Sequence, residues 1–192
     1  TEGRAAKFYA EQVLDHLNPT MIEFVRRQEM AFIATADAAG ECDTSFRAGP
    51  PGFLHVIDER TIAYPEYRGN GVMASMGNVV ENPHIGILLV DFVRDLIGLH
   101  INGNAYVVED FLLRRLFPEL PLDAARRRVD CWMVVDVREA FIHCRKHIPH
   151  MVPAPLDRHW GTDDVVAKGG DYFNTKPATL VRSTGNQAVG AV

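Results

Sequence analysis

Over the first 28 residues the apolar positions fall at helical spacing. Ala6, Phe8, Tyr9, Val13, Leu14 and Leu17 lie between charged residues and predict a helix over 5–18. Asn18-Pro19-Thr20 breaks it, and Met21, Ile22, Phe24 and Val25 predict a second helix. This front end reads as a helical lid rather than as catalytic machinery.

From Met30 the pattern changes to short apolar runs separated by turn residues. Ala31 to Thr35 predicts a buried strand, and Asp37-Ala38-Ala39-Gly40 a hairpin turn or a longer loop. Asp43 to Phe53 carries Gly and Pro densely and reads as a loop between strands. Phe53–Ile57 predicts the next strand and Thr61–Tyr64 another, followed by a loop through Gly71. A short helix is expected over 72–80, stopped by Asn82-Pro83. Ile85 to Phe92 is apolar almost throughout, as a strand buried on both faces would be. Leu96 to Val108 predicts a long strand with bulges at Gly98 and Gly103. Residues 110–129 look helical, interrupted by Pro118 and Pro121. Cys131 to Val137 predicts a last strong strand, which 141–144 can extend. Six or seven strands in meander order predict an antiparallel barrel, mainly β with flanking helices. The expected organisation is a helical extension over 1–28, a barrel over 29–150 and a tail over 151–192.

Composition narrows the function. The chain has 192 residues, 47% hydrophobic and 23% charged, which suits one ordinary core. A net charge of −5 argues against a general nucleic-acid binder, and the runs Arg126–Arg128 and Arg145–His147 read as local solvated faces. Cys42, Cys131 and Cys144 are an odd, widely spaced set, so free thiols in a reducing cytoplasm are expected. No stretch reaches a membrane-spanning length, and the polar start Thr1-Glu2-Gly3-Arg4 lacks the apolar region of a signal peptide.

Three stretches can carry chemistry. Tyr64-Pro65-Glu66-Tyr67-Arg68-Gly69-Asn70-Gly71 joins a strand to a short helix. Glycines permit close backbone approach, a helix start offers unpaired N–H groups, and Arg68 offers a donor fork matched to phosphate. A plain surface turn containing Arg is the alternative. Asp43 to Phe53, with Ser45 and Arg47, can wrap a planar ligand with backbone amides, or can simply be a connection stiffened by proline. In Phe141 to His150, His143, Cys144, His147 and His150 have spacings that could ligate zinc. With no second cysteine pair and no HExxH, no metal is expected, and Arg145 or Lys146 against an anionic ligand is the stronger use. His100 lies in a strand where alternation can point it inward, as a core or interface histidine. No nucleophile elbow, Walker loop or dinucleotide fingerprint is present.

Read in order, five segments resemble the pyridoxamine 5′-phosphate oxidase-like FMN-binding family: Phe32–Asp37, Cys42–Phe53, Thr61–Asn70, Glu81–Gly86 and Ile101–Ala105. His143-Cys144-Arg145-Lys146-His147 resembles a late motif in one branch. The resemblance spans about residues 28–150 and implies a split β-barrel whose dimer buries two FMN molecules at its interface. Carried over, Ser45, Phe46, Arg47 and Ala48 would line the flavin edge. Tyr64 and Pro65 would flank the ring or ribityl chain, and Arg68, Asn70 and Ser75 would meet the phosphate. His143, Arg145 or Lys146 would reach the cofactor from the partner subunit.

The chain departs from the oxidases proper. It has Arg68-Gly69-Asn70 where they have Ser-Arg-Lys, and Ile97-Gly98-Leu99-His100 where they have Arg-Gln-Val-Arg. Asp157-Arg158-His159 only echoes their late substrate motif. A divergent branch is therefore implied, with a small-molecule substrate other than vitamin B6 or with none. The expected function is an FMN-dependent oxidoreductase passing a hydride to or from flavin N5, with His100 and Tyr67 as candidates for substrate contact. The alternative is a flavin, deazaflavin F420 or haem carrier on the same fold, and zinc at 143–150 is the third reading.

Overall fold

The computed structural model describes residues 2–67, 72–120, 129–154, 164–167, 169–173 and 175. Among these, seven strands form one antiparallel sheet: β1 (Met30–Ala36), β2 (Cys42–Ala48), β3 (His55–Asp58), β4 (Thr61–Tyr67), β5 (His84–Asp91), β6 (Ile97–Glu109) and β7 (Val129–His143). Their order is β2-β1-β5-β6-β7-β4-β3. The helices are α1 (Glu2–Gln12), α2 (Pro19–Arg26), α3 (Ala74–Glu81) and α4 (Asp110–Leu116). The expected mainly-β architecture with flanking helices is the one observed, but the order is not the expected meander, since β1 pairs with β5 and β4 with β7.

Local chemistry explains the elements. Asn18 caps α2 by accepting the Met21 N–H at 2.9 Å, with Pro19 in the first turn, where its missing N–H costs nothing. In the β1–β2 hairpin, Asp37 Oδ1 accepts the N–H groups of Ala39 and Glu41, both at 2.9 Å, and Gly40 takes φ +84°.

Registered rows set the two faces of the sheet. Ser45, Ile33, Ile87, Ile101 and Ala140 pair across β2, β1, β5, β6 and β7, and all but Ser45 are buried in the main core. On β4, Ile62 and Tyr64 join that core, whereas Ala63 faces a second cluster with Trp132, Leu113 and Leu120. Trp132 Nε1 donates to Asp110 Oδ1 at 2.7 Å, tying α4 to β7.

Several sequence expectations need correction. The first helix ends at Gln12, with no buried residue, rather than at 18. Beyond it the chain extends across the sheet: Leu14 and Ala140 exchange backbone hydrogen bonds at 3.0 and 2.7 Å, and Leu17 is buried. Sheet pairing and burial there outweigh helical spacing. Residues 42–48 are strand, not loop. β3 starts at His55, and Phe53 and Leu54 are buried just before it. β5 hides one face throughout, with Ile85, Ile87 and Leu89 buried, and the other only at its end: His84 is exposed, Gly86 and Leu88 are half-buried and Val90 is buried. The ladder slips at Asn102/Gly103 but runs regularly through Gly98, so only the second expected bulge is present. Gly98 serves close approach instead: a Cβ there would lie 2.8 Å from the Leu89 carbonyl oxygen. α4 ends at Leu116, and residues 121–128 lie outside the described residues.

The chain divides into two units after Gly161. In the second, Asp164 caps the Ala167 N–H at 2.7 Å and Asp171 accepts from the Thr175 N–H and hydroxyl at 2.9 and 2.8 Å. Tyr172 and Phe173 meet edge to face at 5.2 Å. Among the described residues no helix is long and apolar enough to cross a membrane, and Cys42, Cys131 and Cys144 are free thiols.

Candidate functional site

β2 and β4 stand far apart in the sheet order, yet their inward side chains meet. Alternation along β2 turns Ser45 and Arg47 to the core face and Phe46 to the other. On β4, Glu66 follows Tyr64 by two residues and shares its face. Arg47 closes the gap by pairing bidentately with Glu66: Nε lies 3.0 and 2.9 Å from the two carboxylate oxygens, and Nη2 lies 2.8 Å from Oε1. Its remaining edge turns to two hydroxyls, with Nη1 3.0 Å from Ser45 Oγ and Nη2 3.5 Å from Ser75 Oγ. Nη1 also donates to the Phe46 carbonyl at 3.1 Å. The hydroxyls of Ser45 and Ser75 are themselves 2.9 Å apart.

Ser75 comes from the first turn of α3. That helix starts on Met73 at φ +50°, and no side chain caps it. Asn78 holds α3 to β1 through the Thr35 hydroxyl at 3.0 Å, and buried Val79 faces the core. Ser75 is 2% exposed and Glu66 8%. A charged pair so far from water needs full partnering, which the bidentate geometry supplies to the carboxylate.

Neighbouring groups feel this charge. Burial first, then the Glu66 carboxylate, hold the Tyr64 phenol above its ordinary range. Cys131 faces Glu66 across the β4–β7 ladder; burial, then Glu66 and Asp130, push its thiol up to about 11. Both groups are therefore neutral at physiological pH.

The opposite face carries a second group. Phe46, Phe32, Leu88, His100 and Phe141 form one registered row across five strands. Phe32 and Phe46 contact at 5.6 Å, and His100 stacks on Phe141 at 4.8 Å. His100 Nε2 lies 3.0 Å from His143 Nδ1, a hydrogen bond between the two rings. Burial, then His143, lower the pKa of His100 below its ordinary value. Arg145 donates to the Asp95 carbonyl at 3.2 Å, and Lys146 is exposed.

The residues singled out from the sequence thus fall into separate places. Ser45, Arg47 and Ser75 converge on one corner. Tyr64 and Pro65 are buried, while Phe46 is 52% exposed and Ala48 half-buried. Tyr67 ends β4. His100, His143, Arg145 and Lys146 are on the other side of the sheet or beyond its end. Arg68 and Asn70, with Asp157-Arg158-His159, lie outside the described residues. Glu66 was not anticipated. Its signal was an acid at the end of an otherwise buried strand, complementary to a lone arginine on β2. Among the described residues no three His, Cys, Asp or Glu side chains are grouped to hold a metal.

Comparison with known proteins agrees with this architecture. A family model described as pyridoxamine 5′-phosphate oxidase matches residues 17–129. HupZ of Group A Streptococcus is 21% identical, with 66% of this chain and 93% of that one covered and a TM-score of 0.50. A Lactobacillus delbrueckii protein, described as a candidate pyridoxamine 5′-phosphate oxidase, is 16% identical over 68% of this chain and 98% of its own, with a TM-score of 0.51. An FMN-binding protein of Syntrophomonas wolfei is 12% identical, covers 73% and 94%, and has a TM-score of 0.49. No curated protein matches the chain.

Proposed function

Since the chain belongs to the pyridoxamine 5′-phosphate oxidase family and has its split-barrel fold, we propose that it binds FMN non-covalently and acts as a flavin-dependent oxidoreductase on a small molecule. The observation that carries this reading is the convergence of Ser45 Oγ, the end-on edge of Arg47 and Ser75 Oγ at one corner between β2 and α3. Two hydroxyl donors and a guanidinium beside a helix start suit a phosphate monoester. The donor set therefore fits the phosphate end of FMN. β2 is an edge strand, so its outer flank offers unpaired backbone N–H and C=O groups to the polar rim of a flavin.

In this arrangement Ser45, Arg47 and Ser75 hold the phosphate, with Tyr67 at the end of β4; the contacts expected of Arg68 and Asn70 lie outside the described residues. Phe46 and Ala48 lie along the ring, and Tyr64 and Pro65 back the site from within. FMN bound there supplies a hydride acceptor and donor at N5. The half-apolar row from Phe46 to Phe141 is the face a second copy of the chain would cover. That copy would bring His143, with the His100 it bonds, Arg145 and Lys146 toward the cofactor and its substrate. The free thiols fit a reducing cytoplasm.

One observation favours a second reading, a flavin carrier without turnover. Glu66, the carboxylate at the corner, is committed to Arg47 and is not free to move a proton. Absorption spectroscopy of the desalted protein after incubation with FMN tests the first reading. Retained flavin bands that bleach under a nicotinamide donor are expected. Retained flavin that resists every donor would favour the carrier, and no retained flavin would refute both. Light scattering should give a dimer.

A further inference from the structure

Building on that phosphate reading, we infer that Glu66 is a positioning residue: it grips Arg47 side-on and thereby aims the end-on edge of the guanidinium at the ligand. Arginine has five N–H donors in a rigid fork. Glu66 takes the Nε and Nη2 edge with both carboxylate oxygens, at 2.8–3.0 Å. Nη1 and the second Nη2 proton then point to Ser45 and Ser75 at 3.0 and 3.5 Å, with the other Nη1 proton on the Phe46 carbonyl, so a phosphate at this corner would take the place of the serine oxygens as their acceptor.

The grip is firm because neither partner can leave cheaply. The side chains are 11% exposed for Glu66 and 22% for Arg47, so separation would strand a charge away from water. Without the pair, Arg47 would be a long, rotamer-rich side chain on an edge strand, free to swing toward solvent. Glu66 is itself anionic and would repel a phosphate, so any benefit it gives to phosphate binding must act through Arg47. A mere clamp between β2 and β4 would instead affect every ligand, and the fold, alike.

The test uses the full chain and two probes that differ only by the phosphate, FMN and riboflavin. Dissociation constants are measured by flavin fluorescence for the wild type, Glu66→Gln, Arg47→Met and the double variant. Glu66→Gln should weaken FMN relative to riboflavin by about tenfold, the scale of one charge-assisted hydrogen bond. The double variant should be no worse than Arg47→Met alone. An unchanged FMN-to-riboflavin ratio in Glu66→Gln, or losses that add in the double variant, would overturn the inference. If Glu66→Gln does not fold, Glu66→Asp, which keeps the charge but shortens the reach, should reduce the same ratio. A ratio equal to the wild type would refute the role. A wild type that binds FMN no better than riboflavin would remove the phosphate site itself, and this inference with it. A wild-type preference that Glu66 variants leave intact would remove the inference alone.

Discussion

Two glycines, one in a strand and one in a helix, should respond to alanine with opposite signs. Gly103 sits where the β6–β7 ladder slips, and a Cβ there would lie 2.1 Å from the Asp136 carbonyl oxygen and 3.0 Å from its carbon. Both atoms are backbone, so relief requires moving β7 rather than rotating a side chain. Val135 and Val137 flank Asp136 and are buried in the core, which resists that shift. Overpacking costs about 1–3 kcal/mol, and a backbone clash should fall at the upper end, about 3 kcal/mol. For a unit of this size, roughly 2–4 °C of melting temperature is lost per kcal/mol, so Gly103→Ala should melt about 6–12 °C lower. Gly77 is exposed within α3, and its Cβ would meet nothing within 4 Å. Gly77→Ala should therefore gain about 0.5–1 kcal/mol from helix propensity and melt slightly higher. Thermal unfolding followed by circular dichroism reads both. A Gly103→Ala melting point within about 2 °C of the wild type, or a Gly77→Ala that falls as far as Gly103→Ala, would refute the steric reasoning.

The thiols and histidines give two more tests. Cys131 is buried with its pKa pushed up to about 11, whereas Cys42 and Cys144 are exposed. A disulfide-exchange reagent should thus titrate two thiols quickly in the folded protein and the third only in urea; three equal rates would contradict the packing. His55 is held below its ordinary value of 6.5 by burial and then Arg114, and His100 by burial and then His143. Below about pH 6.5 the unfolded chain binds protons that the fold refuses, so this part of the stability is intact above that pH and is lost as pH falls. The urea midpoint should hold from pH 8 to about 7 and drop toward about 5.5, less steeply in His55→Gln. An acid limb of unchanged slope in that variant would exclude His55.

The barrel was legible from the apolar run of β1, the length of β6 and the strong apolar run of β7, because those strands bury a face. β2 was not, and the reason is physical. Ser45 and Arg47 face a polar corner, Cys42 and Thr44 are exposed, and Phe46 stands on the open face, so no apolar period exists to read. Its strand conformation comes from pairing with β1. The segment 13–18 misled for the converse reason: its leucines keep helical spacing, but Leu14 bridges to Ala140 of β7 and Leu17 is buried from an extended chain. At the site, Ser45, Arg47 and Ser75 were named from a resemblance. Glu66 required the spatial meeting of β2 with β4, which no spacing along the chain encodes.

The sheet order also fixes when the site can come into being. Arg47 and Glu66 are 19 residues apart in the chain, each on a hairpin that can form early, β1–β2 and β3–β4. Those hairpins occupy opposite ends of the sheet, with β5, β6 and β7 between them. The first half of the chain therefore holds both halves of the corner without being able to join them. During synthesis the two must wait until residues through His143 have emerged and the three middle strands have curled the sheet. Any ligand of that corner is loaded only once the seventh strand is in place and cannot template the earlier folding.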